Sequence, residues 1–409
     1  MNLSIIYFLF LTLLTNFVFK WGAFQYFNFF FTDSLNFILN LLNYLIFFSL
    51  FFMKLSFTNM VCLLTLFIIM NFMFMSLSMM QLFIFFELSL IPIFLIVIFY
   101  GKQFERKKAS LFLFFFTLSS SLPLLIWILL LKFNFYNGMF TEENHMMKIF
   151  SWTSMFLYMA FLVKLPIFFF HMWLPKAHVE APVYGSMVLA SVMLKLGGYG
   201  LLKFLFVSYS MWLKISFLMT SLLINGAILS SIYCLFISDL KIIIALSSVS
   251  HMTFMVSSVV PLMIESILGC LMMMVSHGFL SSLMFYFANS LYERTKTRSI
   301  FFSKSFSFYQ NGFLILMCVF NMCVPPSLNF FSEIVLSVSL ISWSVYTSVF
   351  LFFYMMFSTM YTIYLLIFLS NRSKVWYFSS SPLLMNEFLM MVFYSYLTLF
   401  FIFSISHFM

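Results

Sequence analysis

The chain has 409 residues, of which 64% are hydrophobic, 22% aromatic and only 8% charged, with a mean hydropathy of +1.10. A soluble domain is about 45–50% apolar and about 25% charged, so this composition excludes an assembly of soluble domains and makes lipid the solvent. The net charge of +9 does not point to nucleic acid, because the basic residues are scattered among loops between apolar runs, where membrane topology accounts for them.

At about 25–30 residues per span and turn, the chain holds about 13 to 16 spans and no large extramembrane domain. Divided at charges, Pro, Asn and Gly, the apolar runs fall at 3–19, 26–52, 57–77, 80–100, 107–131, 152–176, 182–206, 212–235, 240–260, 264–290, 309–342, 345–369 and 383–406. This predicts an all-α polytopic membrane protein of 13 transmembrane helices, a single integral membrane domain over 1–409. Met1 to Lys20 lacks a charged beginning and a small-residue cleavage site, and reads as the first span rather than a signal peptide. Barrel strands would be about 10 residues long and alternating, which these runs are not.

Segments after even-numbered helices carry 13 Lys and Arg, and those after odd-numbered helices carry 5. That bias places the even side, and Met1, in the negative-interior compartment. Two helices read as broken. One contains Lys164-Leu165-Pro166 and runs on to Trp173-Leu174-Pro175; the other is interrupted at Pro325-Pro326 and resumes at Asn329. Proline frees backbone carbonyls, and lipid tolerates that only where protein or a watered cavity satisfies them. The breaks fall in the sixth and eleventh helices, which run in opposite directions. Paired broken helices in inverted halves mark an ion or substrate path; the competing reading is two unrelated proline kinks.

Four ionisable residues interrupt apolar runs: Glu87, Lys164 and Lys195 near helix centres, and Glu333 after the second break. Each such charge costs about 2.5–3.5 kcal/mol on insertion scales, so the set requires pairing or neutralisation. A salt bridge that merely pins two helices is the structural alternative. Desolvation disfavours the charged form of either type, so a buried lysine can release a proton near neutral pH while a nearby carboxylate restores its charge. His251 and His277 lie inside helices beside hydroxyls, which suits either a hydrated relay or hydrogen-bonded packing. His171 and His178 are a poor metal pair, because only Glu180 is at hand to complete the coordination. The five cysteines form no CxxC pair and indicate neither a disulfide framework nor a cluster site. No G-x-G-x-x-G or Walker A motif is present, and Gly197-Gly198-Tyr199-Gly200 reads as close helix packing. The chain is therefore expected to hold no metal or cofactor of its own.

Residues 163–182, Val-Lys-Leu-Pro-Ile-Phe-Phe-Phe-His-Met-Trp-Leu-Pro-Lys-Ala-His-Val-Glu-Ala-Pro, precede Gly-Ser-Met-Val-Leu-Ala-Ser-Val-Met-Leu-Lys-Leu-Gly-Gly-Tyr-Gly at 185–200. Together they resemble the chain 4 family of mitochondrial NADH-ubiquinone oxidoreductase, the antiporter-like membrane-arm subunits of respiratory complex I. Further matches are Phe-Phe-Glu-Leu-Ser-Leu-Ile-Pro at 85–92, Ser-Asp-Leu-Lys at 238–241, Ser-Ser-Val-Ser-His-Met at 247–252 and Ser-His-Gly-Phe-Leu-Ser-Ser at 276–282. Ala-Asn-Ser-Leu-Tyr-Glu-Arg-Thr at 288–295 and Pro-Pro-Ser-Leu-Asn-Phe-Phe-Ser-Glu at 325–333 complete the set.

The resemblance implies an antiporter-like fold with two inverted five-helix repeats, each containing a broken helix, here expected at about 57–206 and 212–369 with a C-terminal helix at 383–406. The family fold has one helix more than the 13 counted here, which leaves the family's outermost helix unmatched. The resemblance also implies that Glu87 pairs with Lys164, that Lys195 is the central relay and that Glu333 is the exit-side proton carrier. His251, His277 and Lys241 stand as candidate relay residues. Protons would load the Lys164–Lys195 axis from the matrix side, the Glu87–Lys164 distance would switch, and release would follow through Glu333. Moving each charge against the potential costs about 2.3 kcal/mol per 100 mV, and that energy must come from outside this chain. NADH, FMN, iron–sulfur clusters and ubiquinone are then used in other subunits. The implied partners are neighbouring membrane-arm subunits, antiporter-like ones among them, and membrane lipids such as cardiolipin; the implied place is the mitochondrial inner membrane. The alternatives are a free-standing cation/proton antiporter, which the buried charges fit equally well, and a spacer that only holds a membrane arm together.

Overall fold

Leu, Phe, Ile and Met dominate every long segment, and in lipid a backbone can satisfy its own polar groups only as helix or closed barrel. The computed structural model describes residues 30–53, 55–76, 78–101, 103–134, 154–207, 209–301, 308–370 and 384–403, and among them no strand occurs. The predicted span 3–19 lies outside the described residues. Eight segments are long and apolar enough to cross a membrane, and three shorter apolar helices accompany them.

In chain order the helices are α1 Phe30–Leu50, α2 Phe57–Phe74, α3 Met79–Leu88, α4 Leu90–Tyr100, α5 Arg106–Asn134, α6 Ser154–Lys164, α7 Trp173–Glu180 and α8 Val183–Val188. A π turn, Leu189–Met193, joins α8 to α9 Leu194–Val207. Then follow α10 Tyr209–Phe236, α11 Leu240–Val259, α12 Ile264–Thr295, α13 Phe308–Asn321, α14 Leu328–Trp343, α15 Thr347–Ser370 and α16 Met385–Phe403.

Three spans are enclosed almost entirely by protein: α8 to α9, α11 and α12. They are also where Ser, His and Lys concentrate, because only an enclosed helix can offer polar side chains partners other than lipid. The surrounding helices keep one apolar face outward, with Phe115, Phe217 and Phe352 among its most exposed residues. α10 packs on α11 and α15, and α12 packs on α11, α14 and α16.

Both predicted breaks are present, and their freed carbonyls are satisfied. Pro166 has no N–H for the Leu162 carbonyl, which accepts from Ile167 N instead (3.4 Å), while Val163 O accepts from the Trp173 indole (2.9 Å). α6 therefore ends at Lys164 and the chain becomes helical again at Trp173. At the second break Cys323 N donates to Phe320 O and Val324 N to Val319 O (both 3.3 Å), the paired bonds of a Schellman ending. That ending needs a left-handed residue, usually Gly; here it is Cys323 at φ 54°. Ser327 then caps α14 by accepting from Phe330 N (3.3 Å).

Two departures from the predicted runs have local causes. The run 80–100 divides at Ser89, because Pro92 cannot donate to the Leu88 carbonyl four residues back. The run 182–206 contains the π turn, a widening that frees carbonyls inside a continuous span. The glycines pack as expected. A Cβ on Gly200 would lie 2.1 Å from the Phe161 ring, and one on Gly197 would lie 3.0 Å from the backbone N of Leu165. α9 thus lies directly against the end of α6.

The end of α12 is locked to α16 by a buried ion pair that no feature of the sequence singles out. The Arg294 guanidinium forks onto the Glu387 carboxylate, each 9% exposed, and Glu387 also accepts from Leu384 N (3.1 Å). Removing one partner strands the other as an unpaired buried charge, a loss of about 3–5 kcal/mol. Arg294→Ala is therefore expected to lower the thermal stability of the assembled protein sharply, and Arg294→Leu with Glu387→Leu to restore most of it. Equal stability of Arg294→Ala and the parent in a melting experiment would rule the lock out.

Candidate functional site

The first break places a cation where helix geometry favours one. Lys164 is the last residue of α6, at the end where the aligned peptide dipoles of the helix leave partial negative charge. Its ammonium donates to Phe86 O (2.9 Å) and sits 3.0 Å from the Phe86 ring centroid. Glu87, the next residue on α3, has both carboxylate oxygens buried with no hydrogen-bond partner in this structure. The Ser121 hydroxyl beside it donates to Leu118 O instead (3.0 Å). Each of Glu87 and Lys164 is a charged group that acts on the other, yet no ion pair within 4.0 Å joins them. The pair that the resemblance implies is thus open, with one member held by a backbone carbonyl.

The π turn explains how Lys195 is held. This side chain has no exposed surface, and its ammonium donates to Ala190 O (2.7 Å), a carbonyl within the turn. On its other side it lies 3.1 Å from Nδ1 of His277, on α12. His277 and His251 have ring centroids 6.1 Å apart. His251 Nδ1 lies 3.1 Å from Glu333 Oε1, on α14. Lys195, His277, His251 and Glu333 therefore form one buried line across α9, α12, α11 and α14. Glu333 sits in the second turn after the Ser327 cap, towards the positive end of its helix. The two breaks offer opposite helix ends, carbonyls to Lys164 and amides towards Glu333.

Three residues of this line were not singled out from the sequence in that role. Tyr354 lies 3.1 Å from His251 Nδ1 and donates to Glu333 Oε1 (3.4 Å). Tyr361 lies 3.2 Å from His251 Nε2 and accepts from Asn321 Nδ2 (3.4 Å). They are seven residues apart, hence on one face of α15, and that spacing was the available signal. His178 is fully buried, stacked on Phe285 with centroids 4.6 Å apart, and its charged neighbours are Lys241 and Lys195. Lys241 is buried near the start of α11, and it donates to Ala181 O (3.2 Å), just past the end of α7. Lys241, Lys195 and His277 are thus the titratable groups around His178, and neither of its ring nitrogens has a hydrogen-bond partner in this structure. His171 lies apart from this group, in the first break, with its ring against the Phe168 carbonyl.

The sequence model of the family described as NADH:quinone oxidoreductase/Mrp antiporter, TM, matches residues 76–359. NADH-ubiquinone oxidoreductase chain 4 of Aedes aegypti is 40% identical over 316 residues, 75% of this chain and 70% of that one. The fold is shared with a chain of respiratory complex I from Thermus thermophilus, at a TM-score of 0.79 and 19% identity over 90% of this chain and 79% of that one. It is also shared with a chain of the Mrp complex from a Dietzia species, at a TM-score of 0.78 and 18% identity over 90% of this chain and 42% of that one. The matched region runs from the start of α3 into α15 and so contains both breaks and Lys195, His277, His251 and Glu333. On this footing the chain belongs to the NADH:quinone oxidoreductase/Mrp antiporter family of membrane proteins, alongside the chain 4 subunits of NADH-ubiquinone oxidoreductase.

Proposed function

We propose that this chain is the proton-translocating chain 4 subunit of NADH:ubiquinone oxidoreductase, respiratory complex I. It moves protons through buried side chains while other subunits carry electrons from NADH to ubiquinone. The observation that carries this reading is the buried line of exchangeable groups, with Lys195 3.1 Å from His277 and His251 3.1 Å from Glu333. Bulk water exchanges protons freely, but an apolar bundle does so only where donors and acceptors are adjacent. These four residues supply an amine, two imidazoles and a carboxylate in sequence, in direct contact at the two outer steps and with a ring-to-ring step of 6.1 Å between centroids in the middle.

Lys241 and His178 bring protons towards Lys195, and Glu333 passes them on to the opposite side. Lys164 and Glu87 act as the switch. In the open arrangement Phe86 O holds the ammonium; closing the pair neutralises the Glu87 carboxylate and changes the field at Lys195, one helix away. The helix breaks let α6 and α14 move as half-helices. The energy enters from neighbouring membrane-arm subunits. FMN, iron–sulfur clusters, NADH and ubiquinone are assigned to other subunits, and the lipid neighbours include cardiolipin. The architecture is read as 13 helices with two inverted five-helix repeats over about 57–206 and 212–369, a C-terminal helix at 383–406, and the even-numbered loops on the matrix side of the mitochondrial inner membrane.

Glu87→Gln and Lys164→Ala test the switch. Each is expected to reduce proton translocation in membrane vesicles several-fold while the complex still assembles, with NADH oxidation by an artificial acceptor as the control. Full pumping by both variants in an assembled complex would favour the spacer reading. Proton exchange for sodium or potassium by the isolated chain would favour a free-standing antiporter.

A further inference from the structure

We propose that His251, Cys323 and Glu333 form a binding site for a borderline transition-metal cation of the zinc class, seated on the second helix break. The imidazole nitrogen, thiol sulfur and carboxylate oxygen lie within 4.8 Å of one another. Each of these donors is a zinc ligand, and three protein ligands with a water as the fourth is an arrangement zinc adopts. With metal–ligand bonds of about 2.0–2.3 Å, tetrahedral ligand atoms stand about 3.5 Å apart, so the side chains need to close by only about 1 Å.

Three further features favour a ligand. The donors come from three separate elements, α11, the break and α14, so a cation would tie the end of α13 to two packed helices. Cys323 has φ 54° at a helix ending where glycine is the usual occupant, so the backbone gives no reason for a side chain there, and the one present carries sulfur. An outer partner is in place as well: Nδ1 of His251 faces Glu333, and Tyr361 lies 3.2 Å from Nε2, the ring nitrogen left over, where such a second contact orients a metal-binding histidine. Access runs over the break itself, where Val324, Pro325 and Pro326 are exposed and Cys323 is half-buried. On binding, the Cys323 S–H bond breaks, a metal–sulfur bond forms and the proton leaves to bulk water.

Binding stands on the cluster alone. Its consequence rests on the proton-path reading: a cation on His251 and Glu333 occupies the groups that must accept a proton, and so stops translocation. The two parts are separated by two measurements on the intact complex in membranes. In the first, alkylation of Cys323 by a small maleimide is followed by mass spectrometry with and without micromolar Zn2+, with the half-buried Cys62 as the reference thiol. Zinc is expected to slow modification of Cys323 at least tenfold and to leave Cys62 unchanged. Equal effects on both thiols, no effect on either, or a Cys323 that is unreactive without zinc would each overturn the site.

In the second measurement, Cys323→Gly, which suits the left-handed backbone and so preserves the helix ending, is compared with the parent for zinc inhibition of proton pumping. Each is normalised to its own zinc-free rate. The variant is expected to need at least tenfold more zinc for half-inhibition; identical curves would overturn the inhibitory role. Protection of Cys323 without inhibition would retain the metal site and count against His251 and Glu333 as the proton path.

Discussion

Lys195→Met is expected to leave a folded, assembled subunit that no longer moves protons. Methionine is close to lysine in volume and fills the same fully enclosed space, and it removes the cost of keeping an ammonium out of water. The partners that lose a bond are the Ala190 carbonyl and His277 Nδ1, each a penalty of about 1–3 kcal/mol. Removal of a positioned proton-transfer group typically lowers a rate by about a hundredfold or more. Proton uptake into vesicles should fall accordingly, with assembly verified by NADH oxidation through an artificial acceptor. Lys195→Arg sharpens the test. A guanidinium keeps the positive charge and can still donate to Ala190 O, but it does not release its proton in a protein. If Lys195→Arg pumps like the parent, the lysine is a fixed counter-charge, not a relay.

The second large effect is expected at Glu333. Glu333→Gln preserves the length and shape of the side chain, and its amide oxygen can still accept from Tyr354 as the carboxylate does (3.4 Å). The bonding around His251 therefore has a replacement, and the subunit should assemble. What disappears is the group that takes a proton from His251 and passes it on, so translocation should drop about as far as in Lys195→Met. Tyr354→Phe provides the contrast. It removes a hydroxyl that only orients His251 and Glu333, so a partial loss of a few-fold is expected. A Glu333→Gln variant that pumps at the parent's rate, measured beside an impaired Tyr354→Phe, would show that the tyrosine rather than the carboxylate carries the proton.

The residues in these tests differ in how visible they were beforehand. Glu87, Lys164, Lys195 and Glu333 stand out in a sequence with 8% charge because lipid penalises each of them. The breaks were equally legible, since Pro166 and Pro325-Pro326 remove donors wherever they sit in a helix. His178, Tyr354 and Tyr361 were not, because a buried histidine or tyrosine is ordinary in a membrane helix and its use depends on what lies opposite. Arg294 was counted with the loop charges, although its partner Glu387 lies 93 residues away on α16. Cys323 passed for one more apolar-run cysteine, since nothing local shows that its helix ending brings it beside His251.

What the sequence determined alone is the medium, the helical class, the main run boundaries and the four charges that need a reason to be buried. These follow from transfer energies and backbone chemistry, which act residue by residue. The tertiary structure decided the connections: that Lys164 is held by Phe86 O rather than by Glu87, that the π turn turns a carbonyl towards Lys195, and that α9, α12, α11 and α14 align their polar residues into one line. Those depend on distances of about 3 Å between helices far apart in the chain, and no rule acting on neighbouring residues contains them.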